Sequence, residues 1–225
     1  MLHYISLTLE DVPASVDWLS DAERSRLAAF RIAKRREEWL LGRWTAKQAV
    51  SLYLETDREL PALANLEIRA APDGAPEAFL GGRPAPLALS ISHSSGWSLC
   101  VAGDSKSAVG CDLERIEPRE QRLVEDYFTD EEAKLVEAVP SADRSELITL
   151  IWCAKESALK SLRQGLRRDT RTVPATISRA EVADGWRLLS VHCLESDRTF
   201  HGWWRIKSGF VQVITSAQPG ILCGH

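Results

Sequence analysis

An α+β fold built from two similar halves is what this 225-residue sequence predicts, and three observations predict it. Stretches with helical spacing of apolar residues are interleaved with shorter ones that alternate apolar and polar residues and end in Gly-containing turns. Trp44-Thr45-Ala46-Lys47-Gln48 is matched by Trp152-Cys153-Ala154-Lys155-Glu156, 108 residues further on. Gly96-Trp97-Ser98-Leu99-Cys100-Val101 is matched by Gly209-Phe210-Val211-Gln212-Val213-Ile214, 113 residues further on. Two matches in the same order at nearly the same offset point to a duplicated unit. The expected halves are residues 1–106 and 107–225, each a long helix packed on a small antiparallel sheet.

In order along the chain, His3 to Glu10 alternates and reads as a strand. Ser20-Asp21-Ala22-Glu23 is a capping box that opens a short helix to about Phe30. A long helix follows from about Lys34 to Leu54, with Trp39, Leu40, Trp44, Ala46, Val50 and Tyr53 on its apolar side and Arg36, Arg43 and Lys47 on another. Short strands are expected at 66–70 and 78–80, a turn at Gly81-Gly82-Arg83-Pro84, and a hairpin of strands 87–92 and 97–102 around Ser94-Ser95-Gly96, with His93 at its mouth. A strand from Ala108 to Glu114 comes next. Thr129-Asp130-Glu131-Glu132 is a second capping box, and Asp143 is expected to cap a helix to about Arg163 that Gly165 stops. The remainder reads as strands around Asp184-Gly185 and Ser208-Gly209, followed from Ser216 by a tail without clear structure.

Composition narrows the function. A net charge of −4 offers no global field for nucleic acid, so any anionic ligand needs local basic residues. No apolar run approaches the ~20 residues of a membrane span, and the first residues lack a signal peptide's pattern. Five cysteines, odd in number and without a Cys-x-x-Cys, fit reduced thiols in a cytoplasm.

The chemistry concentrates in two stretches. Asp112 and Glu114 stand two apart at the end of an apolar strand, so their side chains share a face. Glu156 and Lys160 stand four apart on a helix and share a face too, with Lys155 adjacent in sequence. Singly these are ordinary: Asp-x-Glu usually ends a strand in solvent, and exposed helix glutamates are common. Together, oxygen ligands alone favour magnesium or manganese over zinc, and magnesium is commonly held by a few carboxylates, waters and substrate phosphates. The residues thus point to a magnesium-dependent reaction at a phosphate ester or anhydride.

The ordered set resembles the Sfp-type 4′-phosphopantetheinyl transferases. Ser90-Ile91-Ser92-His93-Ser94 is similar to the first motif of that family, and Val109-Gly110-Cys111-Asp112-Leu113-Glu114 to its Gly-x-Asp-x-Glu. Phe128-x-x-x-Glu132 with Trp152-x-x-Lys155-Glu156-Ser157-x-x-Lys160 is similar to its third. Gly82-Arg83-Pro84 looks like its Gly-Lys-Pro turn. One departure is Arg163, which stands where the family often has a glycine.

The resemblance implies a pseudo-two-fold monomer of two α+β halves with coenzyme A in the cleft between them. It implies transfer of the 4′-phosphopantetheine arm of coenzyme A to a serine of an apo acyl or peptidyl carrier protein, releasing 3′,5′-ADP. It assigns Mg²⁺, or Mn²⁺ in its place, to Asp112, Glu114 and Glu156. Catalytic roles fall to Glu156, Lys155 and Lys160; coenzyme A contacts fall to Arg36, Arg43, Lys47, Arg83, Ser92 and His93. Arg115, Arg119 and Arg122 become the place to look for docking of an acidic carrier. Other readings stay open: a relative of the short holo-acyl-carrier-protein synthases, about half this length; an inactive carrier-binding module; and a metal-dependent nuclease, which the overall acidity disfavours.

Overall fold

The computed structural model describes residues 1–56, 58–164 and 168–224. The chain divides into two compact units: Met1–Ser107 together with Gly220–His225, and Ala108–Pro219.

The first unit opens with β1 (Leu2–Thr8), followed by α1 (Asp21–Ala28), α2 (Ala33–Leu54), a single turn α3 (Leu60–Leu63), and strands β2 (Leu66–Ala70), β3 (Pro76–Leu80), β4 (Arg83–Pro84), β5 (Leu87–Ser94) and β6 (Trp97–Asp104). Strands β2, β3 and β4 form a small antiparallel sheet. Strands β1, β6 and β5 form the main one, and α2 lies across β1 and β6. The apolar stripe read from the sequence is what α2 buries: Ala46, Ala49 and Val50 meet Ile5, Leu89, Cys100 and Ala102. Trp44 packs instead with Trp18, Leu19, Leu27 and Leu63.

The second unit also runs from a strand through helices to further strands, in a single sheet. Strand β7 (Val109–Arg115) leads to α4 (Gln121–Tyr127), α5 (Asp130–Ala138) and α6 (Ser141–Ser161), then to β8 (Ala175–Ala183), β9 (Trp186–Cys193), β10 (Arg198–Lys207) and β11 (Phe210–Ser216). The sheet order is β7-β11-β10-β9-β8, and α6 lies on β7 and β11. As β1 pairs with the second strand of the β5–β6 hairpin, so β7 pairs with the second strand of the β10–β11 hairpin. Three hairpins turn through an x-Gly pair with both residues at positive φ: Ser95-Gly96, Asp184-Gly185 and Ser208-Gly209. That is the two-residue connection whose twist matches a right-handed strand pair.

Three expectations are corrected. The tail is not structureless: β12 (Leu222–Gly224) adds to the free edge of β1 in parallel. Three residues held by backbone bonds leave no periodicity to read. The helix α6 begins at Ser141 behind Pro140, so Asp143 lies in its first turn and is not its cap. A proline just before a helix needs no N–H partner, and Asp143 still complements the positive end of the helix. Gly81-Gly82-Arg83-Pro84 is a turn only at its glycines; Arg83 and Pro84 pair with β3.

Gly165 lies outside the described residues, but the end of α6 is clear without it. Arg163 adopts φ 56°, and Gln164 N–H donates to the Leu159 carbonyl at 3.1 Å. This is the left-handed helix cap that glycine usually supplies, so the arginine stands in a glycine conformation. Arg163→Gly is expected to stabilise the protein by about 0.5–1 kcal/mol, read as a shift in the denaturation midpoint with unchanged slope. A loss of stability would mean that the guanidinium makes contacts worth more than the relieved strain.

Candidate active site

The site starts at Gly110, where β7 passes under α6. A Cβ at this position would overlap the Ser157 carbonyl and crowd Ser161. Only glycine lets the helix lie this close to the strand. The contact is sealed by hydroxyls: Thr215 Oγ1 on β11 is 2.8 Å from Ser157 Oγ and 2.9 Å from Ser161 Oγ. With α6 so placed, the residues one and two pleats along β7, Asp112 and Glu114, come under Cys153, Glu156 and Lys160, which follow one another on a single helix face.

Lys160 Nζ donates to Asp112 Oδ1 at 2.7 Å and to the Cys111 carbonyl at 3.1 Å. The Lys160 side chain is 29% exposed and that of Asp112 6%. Burial works against the charge on Lys160, but Asp112 outweighs it and raises the ammonium above its ordinary value. Glu114 accepts from Arg119 Nη2 at 3.1 Å. Burial and the neighbouring Asp112 raise the Glu114 carboxyl against that arginine. Glu156 is pushed furthest, to about 7, by burial first and then by Asp112 and Glu114, with Lys160 opposing. Its Oε1 is buried and has no hydrogen-bond partner among the described residues. Cys153, wholly buried, contributes a thiol to Asp112, and burial together with Asp112 and Glu114 pushes that thiol well up.

Three carboxylates thus crowd one lysine, and Glu156, with a spare buried oxygen, is reluctant to ionise. This is the donor set that a hard divalent cation relieves. As the side chains stand, no group of three His, Cys, Asp or Glu among the described residues is arranged to hold an ion. Asp112 and Glu114 are turned to Lys160 and Arg119 instead.

Lys155 does not join this set. Its Nζ reaches Glu132 Oε2 at 2.8 Å and donates to the carbonyls of Thr170 at 2.8 Å and Val173 at 3.4 Å. Its side chain is 0% exposed, and the Phe128 ring lies 5.8 Å away. An ammonium has three hydrogens, and these three acceptors use them. Glu132 in turn closes the capping box on Thr129 and accepts from Ala175 N–H at 2.9 Å.

Lys47 does the same in the first unit. It meets Glu23 Oε2 at 2.6 Å and the carbonyls of Trp18 and Leu63 at 2.8 and 3.0 Å, beside the Trp18 ring. Glu23 closes the box on Ser20 and accepts from Ile68 N–H at 3.1 Å. Burial lowers both lysines, and their glutamates oppose it. The expectation that Lys155 stands at the reacting phosphate and Lys47 beside His93 differs from this placement. Alternation on a helix could not reveal it, since the partners come from distant capping boxes.

Of the other residues expected to contact a nucleotide, the His93 ring packs against Gly42, where a Cβ would come within 3.7 Å of it. Arg43 follows Gly42 on α2 and lies over the Trp39 ring at 5.1 Å. Its Nε is buried with no hydrogen-bond partner among the described residues, and burial lowers its pKa. Ser92 is buried in β5, with its carbonyl accepting from Ser98 Oγ at 3.2 Å. Arg36 in the first turn of α2 and Arg83 on β4 are exposed.

Known proteins similar to this chain share one description. The family model described as the 4′-phosphopantetheinyl transferase superfamily matches residues 108–205, within the second unit. The 4′-phosphopantetheinyl transferase HetI of Nostoc sp. is 25% identical over 191 residues, 81% of this chain and 76% of that protein. The 4′-phosphopantetheinyl transferase gsp of Aneurinibacillus migulanus is 26% identical over 117 residues, 44% of this chain and 48% of that protein.

Proposed function

We propose that this chain, which belongs to the 4′-phosphopantetheinyl transferase superfamily, moves the 4′-phosphopantetheine arm of coenzyme A onto a serine of an apo carrier protein. The serine oxygen bonds to the phosphorus of the arm, the bond from that phosphorus to the bridging oxygen breaks, and 3′,5′-ADP leaves with that oxygen. The observation that carries this reading is the raised Glu156 carboxyl, pressed against Asp112 and Glu114 with Lys160 beside them.

Asp112, Glu114 and Glu156 would hold Mg²⁺, the spare buried oxygen of Glu156 being the observation that fits an ion to the set. The ion, when bound, draws charge off the phosphoryl oxygens. Glu156, on the same helix face as Lys160, would take the serine proton. Lys160 neutralises charge developing on the leaving side, where a preformed cation acts without reorganisation. Lys155 keeps α6 in place through Glu132 and does not itself meet substrate. In the first unit, Arg43 with its buried Nε and His93 beside Gly42 are the groups we assign to the phosphates of the nucleotide, with Arg36, Arg83 and Ser92 as further contacts. We take the two units as copies of one ancestral half, because each carries the same capping-box glutamate bound to the same buried lysine.

Mass spectrometry of an apo carrier protein, incubated with the enzyme, coenzyme A and Mg²⁺, should show the gain of one phosphopantetheine arm, and EDTA should prevent it. No gain across fatty-acid, polyketide and peptide carriers would overturn the reading.

A further inference from the structure

Two cations occupy the carboxylates of β7, and they differ in kind. Lys160 comes from the same helix as Glu156 and belongs to the reacting set. Arg119 comes from the segment between β7 and α4, four residues past the strand end. Its Nη2 bonds Glu114 Oε2 at 3.1 Å and the Arg115 carbonyl at 3.4 Å. The bond to Glu114 links side chains only 21% and 30% exposed. Arg119 is not a free surface charge, although the sequence placed it with Arg115 and Arg122 as a docking residue. Arg122 does lie on the surface, paired with Asp126 one helical turn on at 3.1 Å.

A guanidinium on Glu114 and a divalent ion on Glu114 compete for the same oxygens. Arg119 meets Glu114 through Nη2 at 3.1 Å, and a divalent ion on the same carboxylate, with twice the charge, displaces it. Arg119 also has a buried Nε with no hydrogen-bond partner among the described residues, so leaving this position abandons no second side-chain contact through that atom.

We propose that Arg119 is a counter-ion exchanged for the metal: it holds Glu114 while the site is empty, lowers the apparent metal affinity, and is released when the ion enters. This rests on the metal assignment made above and goes beyond it. Release loosens the segment from Glu117 to Glu120, while Ile116 stays held by its N–H bond to the Gly209 carbonyl. Metal loading and the mobility of that segment are then one event.

The test is Mn²⁺ binding followed by electron paramagnetic resonance in the absence of coenzyme A and carrier, on wild type, Arg119→Gln and Glu114→Gln. Losing one charge-assisted competitor should tighten Mn²⁺ binding in Arg119→Gln about three- to tenfold, and Arg119→Lys should fall between. In wild type, exchange of the Glu117, Arg119 and Glu120 amides should quicken on adding Mn²⁺, with the Ile116 amide unmoved as the internal control; in Arg119→Gln it should be fast already at the equivalent positions. Unchanged or weaker Mn²⁺ binding in Arg119→Gln, with wild type binding the ion and Glu114→Gln binding it poorly, would overturn the exchange and leave the metal site standing. No Mn²⁺ binding by wild type would overturn both. Circular dichroism on each variant shows that it is folded.

Discussion

Lys155→Ala is expected to destabilise the second unit strongly rather than slow a chemical step. The substitution leaves Glu132 charged and buried at 3% exposure, with the Thr170 and Val173 carbonyls deprived of their donor. Breaking such a pair from one side costs about 3–5 kcal/mol, a large share of the roughly 5–15 kcal/mol that holds a domain together. Denaturant titration should show the loss. Glu132→Gln in the same chain should recover part of it, because glutamine keeps an acceptor for Ala175 N–H and removes the stranded charge. A protein with wild-type stability and a reduced kcat would return Lys155 to the reacting groups.

Glu156→Gln is expected to abolish transfer, by a hundredfold or more on the scale of other electrostatic contacts to a reacting centre, while making the metal-free protein more stable above neutrality. The sign follows from the raised carboxyl. Its folded value of about 7 lies above the ordinary 4.5, so the fold favours the protonated form. The penalty is absent below about pH 4.5, grows as pH rises through 7, and is fully present at pH 8. At pH 8 the variant should therefore melt about 2–5 °C higher than metal-free wild type; at pH 4.5 the two should coincide. Mg²⁺ should raise the wild-type melting temperature at pH 8 and leave the variant nearly unmoved. A difference that is the same at both pH values would show that Glu156 is not in the raised state.

The positions of Asp112, Glu114, Glu156 and Lys160 were legible in the sequence because each rule involved is local. Period two on a strand and a four-residue step on a helix put them on faces; the close crossing at Gly110 that brings the faces together shows only in the fold. The long helix, the capping boxes at Ser20 and Thr129, and the hairpin turns were legible for the same reason. Lys155 was not. Its neighbour Glu156 made it look part of the site, yet adjacent helical residues point about 100° apart. Its partners are a cap glutamate 23 residues upstream and two carbonyls downstream. The signal was present in the repetition itself: Ser20-x-x-Glu23 precedes Lys47 much as Thr129-x-x-Glu132 precedes Lys155. A feature kept in both halves is more naturally architecture than chemistry. Arg119 and β12 depend on tertiary placement alone, and nothing periodic marks either.

The last strand carries a consequence for how the chain comes into being. Tyr4 packs where a side chain on Gly224 would sit, and Leu2, His3 and Tyr4 find their outer partners in residues 222–224. The second unit is made of one unbroken run and can close as soon as it has left the ribosome; the first is begun earlier and finished later. At about 5–20 residues per second, its opening strand waits on the order of ten seconds with one edge bare. An uncovered strand edge is a template for pairing with other chains. Strand β1 is thus most open to self-association before residues 222–224 are made, and a chaperone that binds bare strand edges would guard it there.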